Sequence, residues 1–293
     1  MEYKVRRVVE SDRADILEMA RRTWGGHDYM PAQLDGWMRS RKCRLVGIEA
    51  KEHLVAMANL HLIDSGKTGW MEGLRVHPKY RKKGLARVLT QALVNEGIKA
   101  GVEKLRYTTD SSNSASISLA HGIGMNVRTK MGVFWKGSLK RVKRGGVRDP
   151  PVPVSPTSAR ALLKDAGALF SDGLIVHDWK AYDFSAEGIA QVVKQSEVYI
   201  GRNEGKIDSV TFGTERIEGG ESGWSITIYA ESRQAFLQAV YSQILLAKEK
   251  LSPFVMGIYP MQFRDILLEQ RWIPKWVQNF AILLLEKDMK RSG

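Results

Sequence analysis

Between residues 74 and 100, a strand-like apolar segment runs into a basic turn that contains a glycine, and then into an amphipathic helix. The first N–H groups of a helix have no acceptor within it, and the helix dipole adds partial positive charge at that end. Lys79, Arg81, Lys82, Lys83 and Arg87 surround this terminus. The segment therefore predicts a strand–turn–helix unit whose turn binds a polyanion such as a pyrophosphate.

The spacing Arg81-x-x-Gly84-x-Ala86 resembles the acetyl-CoA signature of the GNAT superfamily of N-acetyltransferases. This resemblance implies that the turn wraps the CoA pyrophosphate, mainly through backbone N–H groups. It also implies that the preceding strand pairs with the pantetheine arm. The cofactor residues implied in this way are Leu74, Arg75, Val76, Arg81, Lys82, Lys83, Gly84, Leu85, Ala86 and Asn113.

The order of predicted elements agrees with this family. Residues 1–140 are expected to form a strand, two helices, three strands, a helix (Leu85–Ala100), a strand, a helix and a final strand. The basic turn falls between the fourth strand and the third helix, where the family binds CoA. The predicted fold is α/β (α+β), the GNAT acyltransferase fold, with a mixed central sheet flanked by helices.

A proline-rich segment divides the sequence. Residues 141–158 contain four of the nine prolines and are predicted to be an interdomain linker. Residues 159–293 repeat the later part of the same element order and resemble a second, degenerate GNAT-like domain. Its turn before the long helix has Glu231 and lacks glycine. Support, a lid or homodimerisation is the expected role of this domain.

The charge of the chain is uneven. The net charge is +13, and residues 1–150 carry 29 basic and 15 acidic side chains. This excess suits a polyanionic ligand such as CoA, although nucleic acid or a merely solvated basic face would also explain it. The single cysteine, Cys43, and the absence of an apolar signal or membrane segment predict a cytoplasmic protein with no membrane partner.

Glu72 is the candidate catalytic base. Acetyl transfer to an amine needs a group that takes up the amine proton, and a nearby carboxylate can do so directly or through water. Glu72 lies in an otherwise apolar strand-like segment, Trp70–Val76, where family members often place an acidic base. The alternative is a solvent-facing strand residue without a catalytic role.

A second family motif is present with one departure. Asn113 precedes a predicted helix, Ser114–His121, and Gly124 follows it, as in the family. The position that usually holds the tyrosine that protonates the leaving thiolate is Ala120. The resemblance therefore leaves the general acid of this chain unassigned.

Asp28 and Tyr29 are the predicted substrate-binding residues. They follow Gly25 and Gly26 in the loop between the first two helices, and the loop resembles that of the vertebrate histidine N-acetyltransferases. Asp28 would face an ammonium group, or alternatively cap the next helix. The implied activity is direct transfer from acetyl-CoA to a small amine or amino acid, with no metal. A protein or peptide N-acetyltransferase and a non-catalytic CoA-binding or nucleic-acid-binding module are the alternatives.

Overall fold

In a computed structural model of the chain, residues 2–26, 28–139, 152–218 and 220–289 are described. Their contacts divide the chain into two compact units. The first unit comprises the residues up to Tyr107, Ser114–Val127 and the residues from Leu285 onward. The second comprises Thr108–Asn113 and Arg128–Leu284. Within the described ranges, no helix combines the length and the apolar character needed to cross a membrane.

The first unit is a sheet with helices on both faces. Its strands lie in the order β1-β2-β3-β4-β5, antiparallel except for the β4–β5 pair. The strands are β1 (Lys4–Arg7), β2 (Cys43–Ala50), β3 (His53–Ile63), β4 (Thr68–Val76) and β5 (Lys104–Asp110). The helices are α1 (Arg13–Arg21), α2 (Met30–Arg39), α3 (Leu85–Ala100) and α4 (Ser114–Gly122).

Alternation along the strands separates two apolar cores. Successive strand side chains point to opposite faces, so Leu45 and Val46 of β2 belong to different clusters. Leu45 packs with the buried residues of α1 and α2, which include Ile16 and Leu34. Val46 packs with those of α3 and α4. The helices α1 and α2 therefore cover one face of the sheet, and α3 and α4 cover the other.

The second unit contains a sheet in the order β6-β12-β11-β10-β9 and a separate β7-β8 hairpin. Its strands are β6 (Asn126–Gly137), β7 (Leu174–His177), β8 (Lys180–Asp183), β9 (Glu197–Asn203), β10 (Lys206–Glu218), β11 (Glu221–Ala230) and β12 (Phe254–Pro260). Its helices are α5 (Pro156–Asp165), α6 (Ala186–Gln195), α7 (Arg233–Glu249) and α8 (Arg264–Glu269). The last strand, β13 (Ala281–Asp288), belongs to the second unit up to Leu284.

The two units do not follow the boundaries predicted from the sequence, 1–140, 141–158 and 159–293. The predicted final strand of the first domain, β6, pairs with β12 from Met131↔Pro260 to Gly137↔Phe254, and it therefore belongs to the second unit. Near the end of the chain, Leu285 is fully buried in the core of the first unit. The second unit thus contains most of β6, and the first unit contains the end of β13 from Leu285.

The linker prediction is wrong where the structure describes it. Residues 141–151 of the predicted linker lie outside the described residues. In the remainder, Val154 forms a β-bridge with Val198, and α5 begins at Pro156. The Ser155 side chain accepts a hydrogen bond from the Ser158 N–H and so caps α5. The prolines that suggested a linker include Pro156 at the first position of a helix, where the missing N–H costs nothing.

Candidate active site

The predicted pyrophosphate residues form one continuous turn at the N-terminus of α3. Residues 81–84 are exposed, whereas the Leu85 side chain is buried, so Leu85 offers only its backbone to a ligand. Gly84 has a φ of +78°, and a Cβ built on it would meet no atom within 4 Å. The first N–H groups of α3 face this end without intrahelical acceptors. The turn therefore provides open space lined by N–H groups and cationic side chains, as a pyrophosphate requires.

The strands β4 and β5 part close to this turn. They pair in parallel from Thr68↔Lys104 to Trp70↔Arg106. Beyond Trp70, β4 continues to Val76, so its last six residues extend past the paired segment. We call the point at which the two strands part the fork. A strand edge that extends past its partner offers N–H and C=O groups to an added extended chain.

Gly73 shapes β4 just beyond the fork. The β3–β4 register shifts between Met57 and Asn59, and Gly73 has a φ of +68°. A Cβ at Gly73 would lie 2.8 Å from the Trp37 ring, so a larger residue would collide with α2. The Gly73 N–H donates a hydrogen bond to the Tyr29 hydroxyl oxygen at 3.2 Å. The irregularity therefore turns one β4 N–H toward the loop that precedes α2.

Asp28 and Arg75 form a buried ion pair. The Arg75 Nε and Nη2 donate to the two Asp28 carboxylate oxygens, each at 2.7 Å. The two side chains are only 1% (Asp28) and 11% (Arg75) exposed. Burial works to lower the pKa of Arg75, but the hydrogen bonds that Arg75 donates to Asp28, together with its electrostatic interactions with Asp28 and Tyr29, outweigh burial, and the pKa is raised. The guanidinium also lies 5.4 Å from the centre of the Tyr29 ring.

These contacts change the expected roles of two residues. The Asp28 carboxylate is occupied by Arg75 and also accepts a hydrogen bond from the Met30 N–H at the start of α2. The geometry therefore opposes a direct contact between Asp28 and a substrate amine, and it favours the capping alternative. The Arg75 Nη1 donates to the Leu74 carbonyl oxygen, so the side chain holds the loop, and a contact of Arg75 with the cofactor stays a prediction. Tyr29 is 44% exposed and remains available to a substrate.

Glu72 lies on the α1/α2 face with two polar neighbours that the sequence reasoning missed. The Asn59 Nδ2 donates to the Glu72 Oε1 at 3.0 Å, and the His61 Nδ1 is 3.6 Å from the same oxygen. Asn59 is fully buried, and the Glu72 side chain is 15% exposed. The available signal was the alternation of Asn59 and His61 within an apolar strand, which places both on one face. The carboxylate is thus fixed, with an edge still accessible to solvent.

Asn113 lies in the loop between β5 and α4. It is exposed, directly precedes α4, and its N–H donates to the Asp110 carbonyl oxygen at 3.0 Å. By its contacts it belongs to the second unit, whereas the remaining predicted site residues belong to the first. Its assignment to the cofactor stays a prediction. Ala120 is fully buried within the α3/α4 core.

The second unit contains a related strand with a different local structure. Gly223 and Trp224 of β11 match Gly69 and Trp70 of β4, and this alignment places Ile226 at the position of Glu72. The pairing of β11 with β12 continues for three positions past Trp224, from Ser225↔Met256 to Thr227↔Ile258. In the first unit the corresponding pairing ends at the tryptophan itself. The second unit therefore has no matching fork along its described strands.

The helix that follows β11 also differs. Its N-cap, Ser232, accepts a hydrogen bond from the Ala235 N–H at 3.1 Å through its own side chain. A serine side chain that satisfies an N–H group at the helix terminus removes a donor that an anion would use. At the equivalent terminus of α3, the N-cap is Gly84, which has no side chain.

Comparisons with known proteins agree with this architecture. Residues 13–125 match the Acetyltransferase (GNAT) family. The chain is 24% identical over 199 residues to a histidine N-acetyltransferase of Xenopus tropicalis, covering 62% of this chain. It spans only about 60% of the length of that relative.

Two solved structures share the fold over almost the whole chain. One is a tandem GNAT protein from the clavulanic acid biosynthesis pathway, with a TM-score of 0.60 and 13% identity over 100% of both chains. The other is the GCN5-related glucosamine N-acetyltransferase region of a fungal multi-domain β-N-acetylglucosaminidase, with a TM-score of 0.66 and 13% identity. That match covers 98% of this chain and 38% of the other. Residues 13–125 therefore match the GNAT acetyltransferase family, the chain has a two-domain GNAT fold, and it is loosely similar to the histidine N-acetyltransferases.

Proposed function

We propose that this chain transfers an acetyl group from acetyl-CoA directly to the amine of a small molecule or amino acid. The observation that carries the proposal is the position of Glu72, a fixed carboxylate next to the fork and on the strand that leads to the anion-binding turn. The relatives named histidine N-acetyltransferase support an amino acid as acceptor. We further propose that the protein acts in the cytoplasm, as its single cysteine suggests.

The residues of the turn fit the cosubstrate. The backbone from Arg81 to Ala86 would hold the pyrophosphate, since Gly84 leaves the space open and Lys82 and Lys83 supply positive charge. The edge of β4 from Leu74 to Val76 would pair with the pantetheine arm. Bound acetyl-CoA supplies an acetyl group activated as a thioester. Because the second unit lacks a fork and caps α7 with Ser232, we propose that only the first unit binds it.

Glu72 would take up the proton of the amine. An amine is nucleophilic only when it has lost its extra proton, and a carboxylate at the fork can remove it directly or through one water molecule. The hydrogen bond from Asn59 fixes the orientation of the carboxylate, and the adjacent His61 gives the proton a route toward solvent. Tyr29 would line the acceptor side of this space, held in place by the Gly73 N–H.

The first test is consumption of acetyl-CoA in the presence of free amino acids, polyamines and peptides. Preference for a free amino acid or small amine supports the proposal, and acetylation restricted to peptides would favour the peptide alternative. If none of these acceptors supports the consumption of acetyl-CoA, the proposed activity is refuted. Binding of nucleic acid that weakens steeply with salt would instead support the binding-module alternative.

The second test concerns the base. Glu72→Gln should lower kcat by roughly 10²–10⁴-fold, the usual contribution of general base catalysis, while calorimetric affinity for CoA stays the same. Glu52→Gln is the matched control, since Glu52 is an exposed residue of the β2–β3 turn. A Glu72→Gln variant with the kcat of the unchanged protein between pH about 6 and 9 would remove Glu72 from this role.

A further inference from the structure

Tyr107 is the first residue of β5 beyond the segment paired with β4. The last paired position is Trp70↔Arg106, so Tyr107 stands at the fork itself. Its half-buried side chain packs against the α3/α4 core, the cluster that also contains Ala120. Glu72 lies on the α1/α2 face, next to Asn59. The two side chains therefore flank the fork from opposite faces of the sheet.

The hydroxyl of Tyr107 is held against the first turn of α4. It donates a hydrogen bond to the Ser116 carbonyl oxygen at 2.7 Å and lies 3.3 Å from the Ser116 Oγ, which donates to it. Burial raises the pKa of Tyr107, and the hydrogen bond with Ser116 offsets this only in part. The phenol therefore retains its proton at neutral pH. Ser116 Oγ provides a second hydroxyl from which that proton can be replaced.

The geometry of α4 explains why this position matters. Ala120 lies four residues after Ser116, so both are on the same face of the helix, one turn apart. Helical side chains lean toward the N-terminus, and a long side chain at residue 120 would place its end over the turn that contains Ser116. The Tyr107 hydroxyl lies against that turn. Because Ala120 is short and fully buried, it leaves room for a side chain that comes from β5 instead.

We propose that Tyr107 is the general acid of the first unit and gives its hydroxyl proton to the thiolate sulfur that leaves during acyl transfer. This inference rests on the proposed function. In the balanced step, the amine nitrogen bonds to the acyl carbon and loses a proton to Glu72, and the carbon–sulfur bond breaks. The sulfur takes the proton of Tyr107, the resulting phenolate takes the proton of Ser116 Oγ, and Ser116 Oγ takes one from solvent. The proton on Glu72 returns to solvent, so no net charge is left on the protein.

The position of the sulfur follows from the rest of the site. An arm that starts at the anion-binding turn and pairs with β4 runs from Val76 back toward the fork. The acyl carbon must come within reach of an amine that Glu72 deprotonates, which places the bond to be broken at the fork. Tyr107 is the β5 residue at this point.

The kinetic test is Tyr107→Phe, which removes one oxygen and keeps the ring in the core. We expect kcat to fall by roughly 10²-fold, the low end of general acid catalysis, with an unchanged KM for acetyl-CoA. Tyr3→Phe is the matched control because Tyr3 is also partly buried against the same core. Unchanged kcat in Tyr107→Phe would overturn the inference, as would an equal loss in Tyr3→Phe.

A positional rescue distinguishes an acid from a structural residue. In the double variant Tyr107→Ala with Ala120→Tyr, the space vacated on β5 accommodates the new ring, and the hydroxyl again reaches the turn of Ser116. We expect this variant to regain part of the kcat lost in Tyr107→Ala. A folded double variant, shown by an intact circular dichroism spectrum, that has no more activity than Tyr107→Ala would contradict the inference.

A further measurement needs CoA binding but no acyl transfer. A hydroxyl that donates to the sulfur stabilises the thiolate of bound CoA, and the ultraviolet absorbance of the thiolate reports this. We expect bound CoA to form thiolate about one pH unit lower in the unchanged protein than in Tyr107→Phe. Identical titrations would refute the placement of Tyr107. A difference in titration in a protein that acetylates no amine would refute the proposed function and leave Tyr107 at the sulfur.

Discussion

Two glycines that bracket α3 allow the anion-binding turn to be tested apart from stability. Gly84 precedes the helix with a φ of +78°, and Gly101 follows it with a φ of +70°. A Cβ on either residue would meet no atom within 4 Å. Alanine at either position therefore causes no collision, and its cost arises only from the left-handed backbone. That cost is about 1–2 kcal/mol for a residue other than glycine.

We therefore expect Gly84→Ala and Gly101→Ala to lower the free energy of unfolding by the same amount, about 1–2 kcal/mol. Each kcal/mol corresponds to a fall of about 2–4 °C in Tm for a chain of 150–250 residues, and somewhat less for a longer one. Denaturant titration and thermal melting measure both quantities. The two variants thus affect the same helix, the same backbone conformation and the free energy of unfolding by the same amount.

Only Gly84→Ala should weaken CoA binding. Its methyl group would occupy the space next to the N–H groups of Leu85 and Ala86, where a phosphate has to approach. We expect at least about a tenfold rise in Kd, equivalent to about 1.4 kcal/mol, measured by calorimetry with CoA. Equal affinity in the two variants would refute the assignment of this turn as the pyrophosphate site. An equal loss in Gly101→Ala would show that helix stability, rather than the turn, controls binding.

Two further predictions concern buried charge. Asp28→Asn removes the carboxylate that balances the buried charge of Arg75 and should lower the free energy of unfolding by about 3–5 kcal/mol. Asp35→Asn, which breaks an exposed pair, should change it by about 1 kcal/mol or less. Equal effects in denaturant titrations would contradict the buried-pair argument. Burial lowers the pKa of His177 to about 4, below its unfolded value of about 6.5. Between these two pH values only the unfolded chain takes up the proton. The free energy of unfolding should therefore fall by about 3 kcal/mol as the pH drops from about 6.5 to about 4. His177→Asn should flatten this pH dependence. An unchanged slope of the free energy of unfolding against pH would refute its assignment to His177.

The elements of the first unit were predictable because local signals mark their ends. The helix Leu85–Ala100 was predicted with both boundaries correct, since Gly84 and Gly101 each adopt a conformation that suits glycine. Strands β2, β3 and β4 were predicted to within two residues from their apolar runs. The predicted GNAT fold is confirmed. In these segments local propensity and tertiary packing favour the same structure.

The second unit was predicted less completely. The hairpin strands β7 and β8 have four residues each, too few for a periodic signal. Helix α6 was missed, although Ser185 followed by Ala-Glu-Gly carried a capping signal, and its side chain does accept from the Gly188 N–H. The assignment of β6 to the second unit, and of the end of β13 to the first, has no local signature. The assignment of β6 depends on the strand with which it pairs, and that strand, β12, is distant in sequence.

The side-chain partners at the site were also beyond sequence reasoning. Asp28 and Arg75 are 47 positions apart, and neither residue type indicates in the sequence that the other is its partner. Arg75 lies two residues beyond Gly73, where the backbone has a positive φ and a Cβ would lie 2.8 Å from the Trp37 ring. A candidate list drawn from a motif therefore names a segment, but it does not give the contacts of each side chain, and the individual roles stay predictions. The direction of each side chain requires the register of β3 and β4.

The differences between β4 and β11 indicate whether substitutions could give the second unit a cofactor site. Replacing Ile226 with glutamate would place a carboxylate in a fully buried position, with strand pairing on both sides of β11. An uncompensated buried carboxylate is strongly unfavourable and would be neutralised rather than act as a base. Replacing Ser232 with glycine would free one N–H group but leave the β11–β12 pairing closed. The activity proposed for the first unit therefore depends on the coincidence of an open fork, a glycine at the helix N-cap and a polar strand face, and no single substitution in β11 or α7 would supply all three.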